Sequence, residues 1–130
     1  MSQIEEIYKL YKECNQKICT DTRSSDIKNS IFFGIKGDNF DGNLYAEQAL
    51  EMGAKYAITE SNNFKSNPRL IYVKKTIKTL QLLAKLHREK FNIPIISITG
   101  SNGKTTTKEI LYHLLSTKFS TCCTKGNYNN

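Results

Sequence analysis

At 130 residues the chain has room for one domain, or for a small domain plus part of another. Its 38% apolar content is that of an ordinary globular protein. No run is long enough to span a bilayer and no apolar core follows a basic start, so membrane insertion is not expected and a cytoplasmic location is the default. The net charge of +7 attracts phosphates, but Lys and Arg are interleaved with Asp and Glu, which disfavours nucleic acid and suits a phosphate-rich small substrate.

Ser2-Gln3-Ile4-Glu5 is a capping box ahead of Ile4, Ile7, Tyr8, Tyr11 and Cys14, the apolar stripe of an amphipathic helix. Lys17–Thr20 reads as a short strand leading into Asp21-Thr22-Arg23-Ser24-Ser25, a polar loop in which Asp21 or Thr22 caps a surface turn. Ile31-Phe32-Phe33-Gly34-Ile35 reads as a central strand. It delivers the loop Lys36-Gly37-Asp38-Asn39-Phe40-Asp41-Gly42-Asn43, either a ligand loop or a long turn into the next helix. That helix begins near Asn43 or Leu44, turns Leu44, Tyr45, Ala49 and Leu50 towards the core, and stops at Gly53.

Tyr56–Thr59 and Leu70–Val73 are the next strands, separated by the polar loop Ser61–Pro68. Thr76 caps a helix through Ile77, Leu80, Leu83, Ala84, Leu86 and His87, ending by Asn92 before Pro94. His87, and later His113, sit at helical spacing and receive no catalytic role. Cys14, Cys19, Cys122 and Cys123 follow no zinc or redox spacing and read as reduced, buried or half-buried thiols.

Ile95-Ile96-Ser97-Ile98-Thr99 reads as a buried parallel strand. Gly100-Ser101-Asn102-Gly103-Lys104-Thr105-Thr106-Thr107 follows, and then Lys108–Leu115 repeats apolar residues at helical spacing. Strand, glycine turn, Lys-Thr and helix form an arrangement that holds nucleotide phosphates. Glycines let the backbone curl around an anion, with its amides and those of the helix N-terminus pointing inward. Gly100 to Thr106 are therefore the expected ATP site, with Lys104 on the outer phosphates and the Thr105 hydroxyl on magnesium. Only Ser101 and Asn102 separate the two glycines, where the common phosphate loop has four residues.

The fold class is α/β. Residues 1–75 make a small N-terminal domain, 76–93 a linker helix, and 94–130 the first β-α-β unit of a parallel-sheet, P-loop-type ATPase domain, closed by a strand Phe119–Cys123. A sheet of this kind needs more strands and helices on both faces, so the chain is expected to end inside its second domain. The open edges at Ile95–Ile98 and Phe119–Cys122 would then favour self-association of the fragment.

Thr99-Gly100-Ser101-Asn102-Gly103-Lys104-Thr105-Thr106-Thr107 resembles the ATP loop of the Mur ligases, amide-forming enzymes of peptidoglycan precursor synthesis, which use the shortened glycine spacing. Further stretches are similar to one branch of that family. They are Asp21-Thr22-Arg23, Phe33–Gly42 with Ala46-Glu47-Gln48-Ala49, Thr107-Lys108-Glu109, and Gly126-Asn127-Tyr128-Asn129-Asn130. That branch joins D-alanyl-D-alanine to UDP-N-acetylmuramoyl-tripeptide through an acyl phosphate, using ATP and Mg2+.

The resemblance implies that Thr22, Arg23, Lys36, Gly37, Asn39 and Phe40 hold the UDP part of the substrate. It places Lys104 on the ATP phosphates as the catalytic residue, Thr105 on the metal, Thr106 on the nucleotide, and Asn127 and Asn130 near the phosphates and muramyl group. Asn43 departs from the histidine that family members often carry there, which weakens any contact at that position. The other magnesium ligands, a modified lysine and the C-terminal domain are missing, so this chain is expected to be inactive alone, and the full-length enzyme a monomer. A sibling ligase adding a diamino acid, and a non-catalytic module binding a UDP-sugar peptide, are the alternatives, with an unrelated P-loop switch a distant third.

Overall fold

Helix α1 spans Gln3–Glu13 in this computed structural model, which describes residues 2–62 and 67–125. The Ser2 backbone N–H donates to Glu5 Oε2 at 2.8 Å. This bond holds the Glu5 carboxyl below its ordinary pKa and anchors the first turn. Ile7, Tyr11 and Cys14 lie buried along one face, as their spacing requires.

Four short strands pair side by side in chain order, all parallel: β1 (Ile18–Cys19), β2 (Ile31–Phe33), β3 (Tyr56–Thr59) and β4 (Leu70–Tyr72). Ile18 sits opposite Ile31, Ile31 opposite Tyr56, and Ala57 opposite Leu70. Successive β2 side chains point to opposite faces, and both faces are covered, which is why the strand reads as a continuous apolar run. Ile31 and Phe33 enter one core with Ile7, Tyr11, Cys14, Ile58, Val73 and Leu83. Phe32 enters the other with Cys19, Ile27, Ala49, Leu50 and Ala57. Full burial of each such large side chain contributes about 1.5–3 kcal/mol.

Three details differ from the reading of the sequence. Strand β2 ends at Phe33 instead of Ile35, because the backbone turns there. The Ile35 N–H donates to the Phe33 carbonyl at 2.9 Å, and the Ile35 carbonyl accepts from Gly42 at 2.9 Å. The next helix does not begin at Asn43 or Leu44: Gly42–Tyr45 wind a 3-10 turn, and helix α2 covers Ala46–Glu51. The tighter winding swings Leu44 (79% exposed) and Tyr45 (38% exposed) out of the core, while Ala46, Ala49 and Leu50 remain inside. Gly53, at φ 108°, ends the helix as expected. Finally, Thr76 is not the cap of helix α3 (Thr76–Glu89) but its first residue, and the Glu60 carboxylate takes over the capping from sixteen residues away.

The chain divides into two compact units, Met1–Asn92 and Ile93–Asn130. Helix α3, the stretch read as a linker, packs within the first unit with Leu83 buried. In the second, helix α4 spans Lys104–Ser116. The runs 95–99 and 119–123, read as strands, carry no ladder. A strand exists only through its neighbours, and among the described residues none pairs with them. Ile95, Ile96, Ile110, Leu114 and Phe119 are all more than half exposed.

Cys14 and Cys19 are buried, Cys123 is half-buried and Cys122 is exposed, a departure from the reading of all four as shielded. Among the described residues no helix is long and apolar enough to cross a membrane.

Candidate functional site: strand-end loops and a glycine cup

In a parallel sheet every strand points its carboxyl end to the same edge, and the loops leaving those ends gather there. The loop after β1 is organised by Asp21. Its Oδ1 accepts from the Arg23 backbone N–H (2.9 Å) and Nε (3.0 Å), and its Oδ2 from Arg23 Nη2 (2.8 Å). The Arg23 guanidinium holds the Asp21 carboxyl down at about 2. Both side chains remain open to solvent, so the fork is oriented without being sealed away. Thr22 between them is half-buried.

The sign of the pH effect follows from the lowered pKa. The contact is complete above the ordinary aspartate value near 4 and is lost as pH falls towards 2. A carbon-detected NMR titration of Asp21 is expected to show a midpoint near 2 in the native chain. In Arg23→Ala it should return towards 3.8, and an unmoved midpoint would refute the pairing.

The loop after β2 closes on itself. Gly37 N–H donates to the Phe40 carbonyl (2.8 Å), Lys36 and Asp41 form a bridge, and Gly42 N–H returns to Ile35 (2.9 Å). Lys36 Nζ lies 3.7 Å from Asp41 Oδ2. Asp38, Asn39 and Phe40 stand exposed at its tip. The Phe40 ring stacks on Tyr45, with centroids 5.3 Å apart and planes inclined by 14°.

Tyr45 was missed in the sequence because helical periodicity assigned it to the core. Asn43 is buried and bonded into the sheet edge, so it presents no free group at the loop surface.

In the second unit, Gly100 (φ 146°) and Gly103 (φ 75°) adopt backbone conformations that other residues resist. Gly103 is the N-cap of α4, and the helix ladder starts with Thr107 N–H to the Gly103 carbonyl at 2.9 Å. The positive end of α4 therefore opens onto the glycine turn. Lys104 folds back across the same turn, Nζ donating to the carbonyls of Gly100 (2.5 Å) and Ser101 (3.4 Å). An ammonium and a helix N-terminus converge on one exposed loop, an arrangement that fits a string of phosphates. Thr105 and Thr106 lie on the first turn beside it, and Ser101 and Asn102 form its exposed rim. Among the described residues there is no group of three or more His, Cys, Asp or Glu side chains to hold a metal by themselves. Asn127 and Asn130 lie outside the described residues.

His87 is packed edge-on against Tyr11 (5.2 Å) and Phe91 (4.9 Å), a helix residue as expected. The His113 ring lies edge-on to that of the neighbouring Tyr112, with centroids 5.6 Å apart.

The family model described as Mur ligase family, catalytic domain, matches residues 19–90, more than half of the chain, and that of the Mur ligase middle domain matches 98–130. The chain belongs to the Mur ligase family.

This Mur ligase chain is 41% identical over 119 residues to the UDP-N-acetylmuramoyl-tripeptide–D-alanyl-D-alanine ligase of Haemophilus influenzae, covering 88% of the chain and 26% of the relative. It is 37% identical over 115 residues to the ligase of that name from Bacillus subtilis, covering 87% and 25%. A UDP-N-acetylmuramoyl-L-alanyl-D-glutamate–2,6-diaminopimelate ligase of Rickettsia prowazekii matches over a shorter stretch, 84 residues at 39% identity, covering 64% and 18%. The crystal structure of MurF ligase from Thermotoga maritima in complex with ADP superposes with a TM-score of 0.77 at 32% identity, covering 99% of this chain and 28% of that one. The Mur ligase chain thus spans about a quarter of the length of these curated MurF-type relatives.

Proposed function

We propose that this chain belongs to an ATP-dependent amide ligase that joins D-alanyl-D-alanine to UDP-N-acetylmuramoyl-tripeptide. Residues 1–75 would carry the substrate loops, the helix within 76–93 would lead out of them, and 94–130 would begin the ATP-binding domain. The observation that carries this reading is the fold-back of Lys104 over the glycine turn at the start of α4. The D-alanyl-D-alanine branch is favoured over its diamino-acid sibling because its relatives match over a longer part of the chain.

Arg23 and Lys36 are the cations suited to the diphosphate of UDP, the first by its planar fork and the second as a point charge. Phe40, backed by Tyr45, offers a flat apolar face to the uracil ring. Gly37 closes the turn through its N–H bond to the Phe40 carbonyl, and Thr22 and Asn39 are assigned to the UDP part of the substrate from family resemblance alone. Gly100, Ser101, Asn102 and Gly103 would line the ATP phosphates, with Thr106 at the helix start. When bound with magnesium, ATP supplies the phosphoryl group that activates a carboxylate towards an amine. Lys104 offsets the repulsion between the two anions, and the Thr105 hydroxyl is the protein ligand suited to the metal. Asn127 and Asn130 are assigned to the phosphates and the muramyl group from family resemblance alone. These 130 residues furnish one end of such a site, and taken alone they are expected to bind substrate without ligating it.

Calorimetric titration with UDP-N-acetylmuramoyl-tripeptide tests the reading. Binding is expected in the native chain, with Arg23→Ala and Lys36→Ala each weakening it by about tenfold. No heat from the native chain, or unchanged affinity in both variants, would overturn it.

The exposed apolar residues of the second unit carry a further expectation. Light scattering should show the mean mass of the chain rising with concentration, and Ile96→Lys with Ile110→Lys should suppress the rise. A concentration-independent monomer mass would contradict it.

A further inference from the structure

We propose that Asn43 and Glu60 are positioning residues through which the N-terminus of α3 sets the shape of the 36–42 loop. The inference deepens the substrate-loop reading above and rests on it only for the ligand arm of its test.

Asn43 lies just past the loop, and each polar atom of its side chain is engaged. Its Oδ1 accepts from Thr59 Oγ1 (3.0 Å) and from the Glu60 backbone N–H (2.7 Å). Its Nδ2 donates to Asp41 Oδ1 at 2.6 Å, and that same oxygen accepts the Asn43 backbone N–H at 3.0 Å. Asp41 Oδ2 in turn faces Lys36. On the other side, Glu60 Oε1 accepts both the backbone N–H (2.9 Å) and the hydroxyl (3.0 Å) of Thr76, while Oε2 accepts from Lys75 Nζ (3.3 Å).

Lys36, Asp41, Asn43, Glu60 and Thr76 therefore form a connected series from the loop to the first residue of α3, with Glu60 joining Asn43 through its backbone N–H and Thr76 through its carboxylate. Asn43 is 6% exposed and Thr76 fully buried, so a member removed here leaves its partner unsatisfied away from water. The base of the loop has no side chain of its own to fill space, since Gly34 and Gly42 pass backbone against backbone. The base of the loop is thus held by close backbone contact and polar bonds, with no side chain between, and those bonds lead to Glu60. An asparagine suits the central position because it both accepts and donates. An aspartate there would set a second carboxylate against Asp41.

Amide hydrogen exchange on the native chain and on Glu60→Ala and Asn43→Asp tests this. The amides of Gly37 and Gly42, which close the loop, are expected to exchange about tenfold faster in both variants, while the Cys14 N–H that caps the end of α1 keeps its protection. If all three amides speed up together, the two residues merely support global stability and the proposal fails. It fails equally if the loop amides do not change. Should either variant not fold, Thr76→Val, which keeps shape and volume but removes the hydroxyl donor to Glu60, is read in the same way. Titration with uridine diphosphate is the second arm, with affinity expected to fall in step with loop protection. A loosened loop with unchanged affinity would support the positioning and count against the substrate assignment instead.

Discussion

Lys104→Ala is expected to slow ATP-driven ligation by the whole enzyme about 10²–10³-fold, with affinity for the UDP substrate nearly unchanged. The size follows from what the side chain does. Lys104 Nζ already sits over the Gly100 and Ser101 carbonyls, on the turn where the helix N-terminus opens. In the proposed site an arriving nucleotide tail would exchange those carbonyls for phosphate oxygens, and no other lysine of α4 shares that turn. Lys108, one turn later, is committed to Glu109 (2.9 Å) and the Thr124 carbonyl (2.7 Å). The selectivity follows from the division of labour, because Arg23 and Lys36 belong to the first unit and Lys104 to the second. Steady-state rates combined with titration of the UDP substrate check both halves. Equal loss of turnover and of substrate affinity would refute the separation of the two sites.

Gly42→Ala is expected to destabilise the first unit by about 2–4 kcal/mol, lowering its melting temperature by about 10–20 °C. A β-carbon on Gly42 would stand 2.5 Å from the Ile35 carbonyl oxygen and 2.8 Å from its nitrogen. These are backbone atoms, so no side chain can swing aside. The loop base must open, breaking the Gly42 N–H bond to Ile35 and pulling on Asn43. Gly37→Ala is the control, since its nearest neighbour would lie at an ordinary 3.9 Å. Thermal unfolding followed by circular dichroism separates the two, and similar melting temperatures for both variants would contradict the packing described for the loop base.

Features written in local chemistry were legible in the sequence. The Ser2–Glu5 box, the apolar face of α1 and the positions of the four strands of the first unit follow from capping and periodicity within a few residues, whereas their parallel order is set by pairing between distant segments. The glycine cup was legible for the same reason: two glycines, a lysine and a helix start stand next to one another in the chain.

What escaped depends on distant partners. Glu60 caps α3 from sixteen residues away, a distance no spacing rule covers. Leu44 and Tyr45 fit a helical stripe, but the 3-10 turn that rotates them outward is set by the Gly42–Ile35 closure. Asn43 reads as the loss of a contact residue, whereas in the fold it joins loop, strand and helix. The runs 95–99 and 119–123 carry strand-like composition, but composition supplies no hydrogen-bonding neighbour.

The proposed function requires the strand-end loops of the first unit to grip a uridine diphosphate and the turn at Gly100–Thr106 to grip a triphosphate tail. Mapping amide chemical shifts of the chain during separate titrations with UDP and Mg-ATP tests it most directly. UDP is expected to move Thr22, Arg23 and Lys36 to Phe40, while Mg-ATP moves Gly100 to Thr106. Both ligands shifting one common set of residues, or UDP acting at the glycine cup alone, would contradict it.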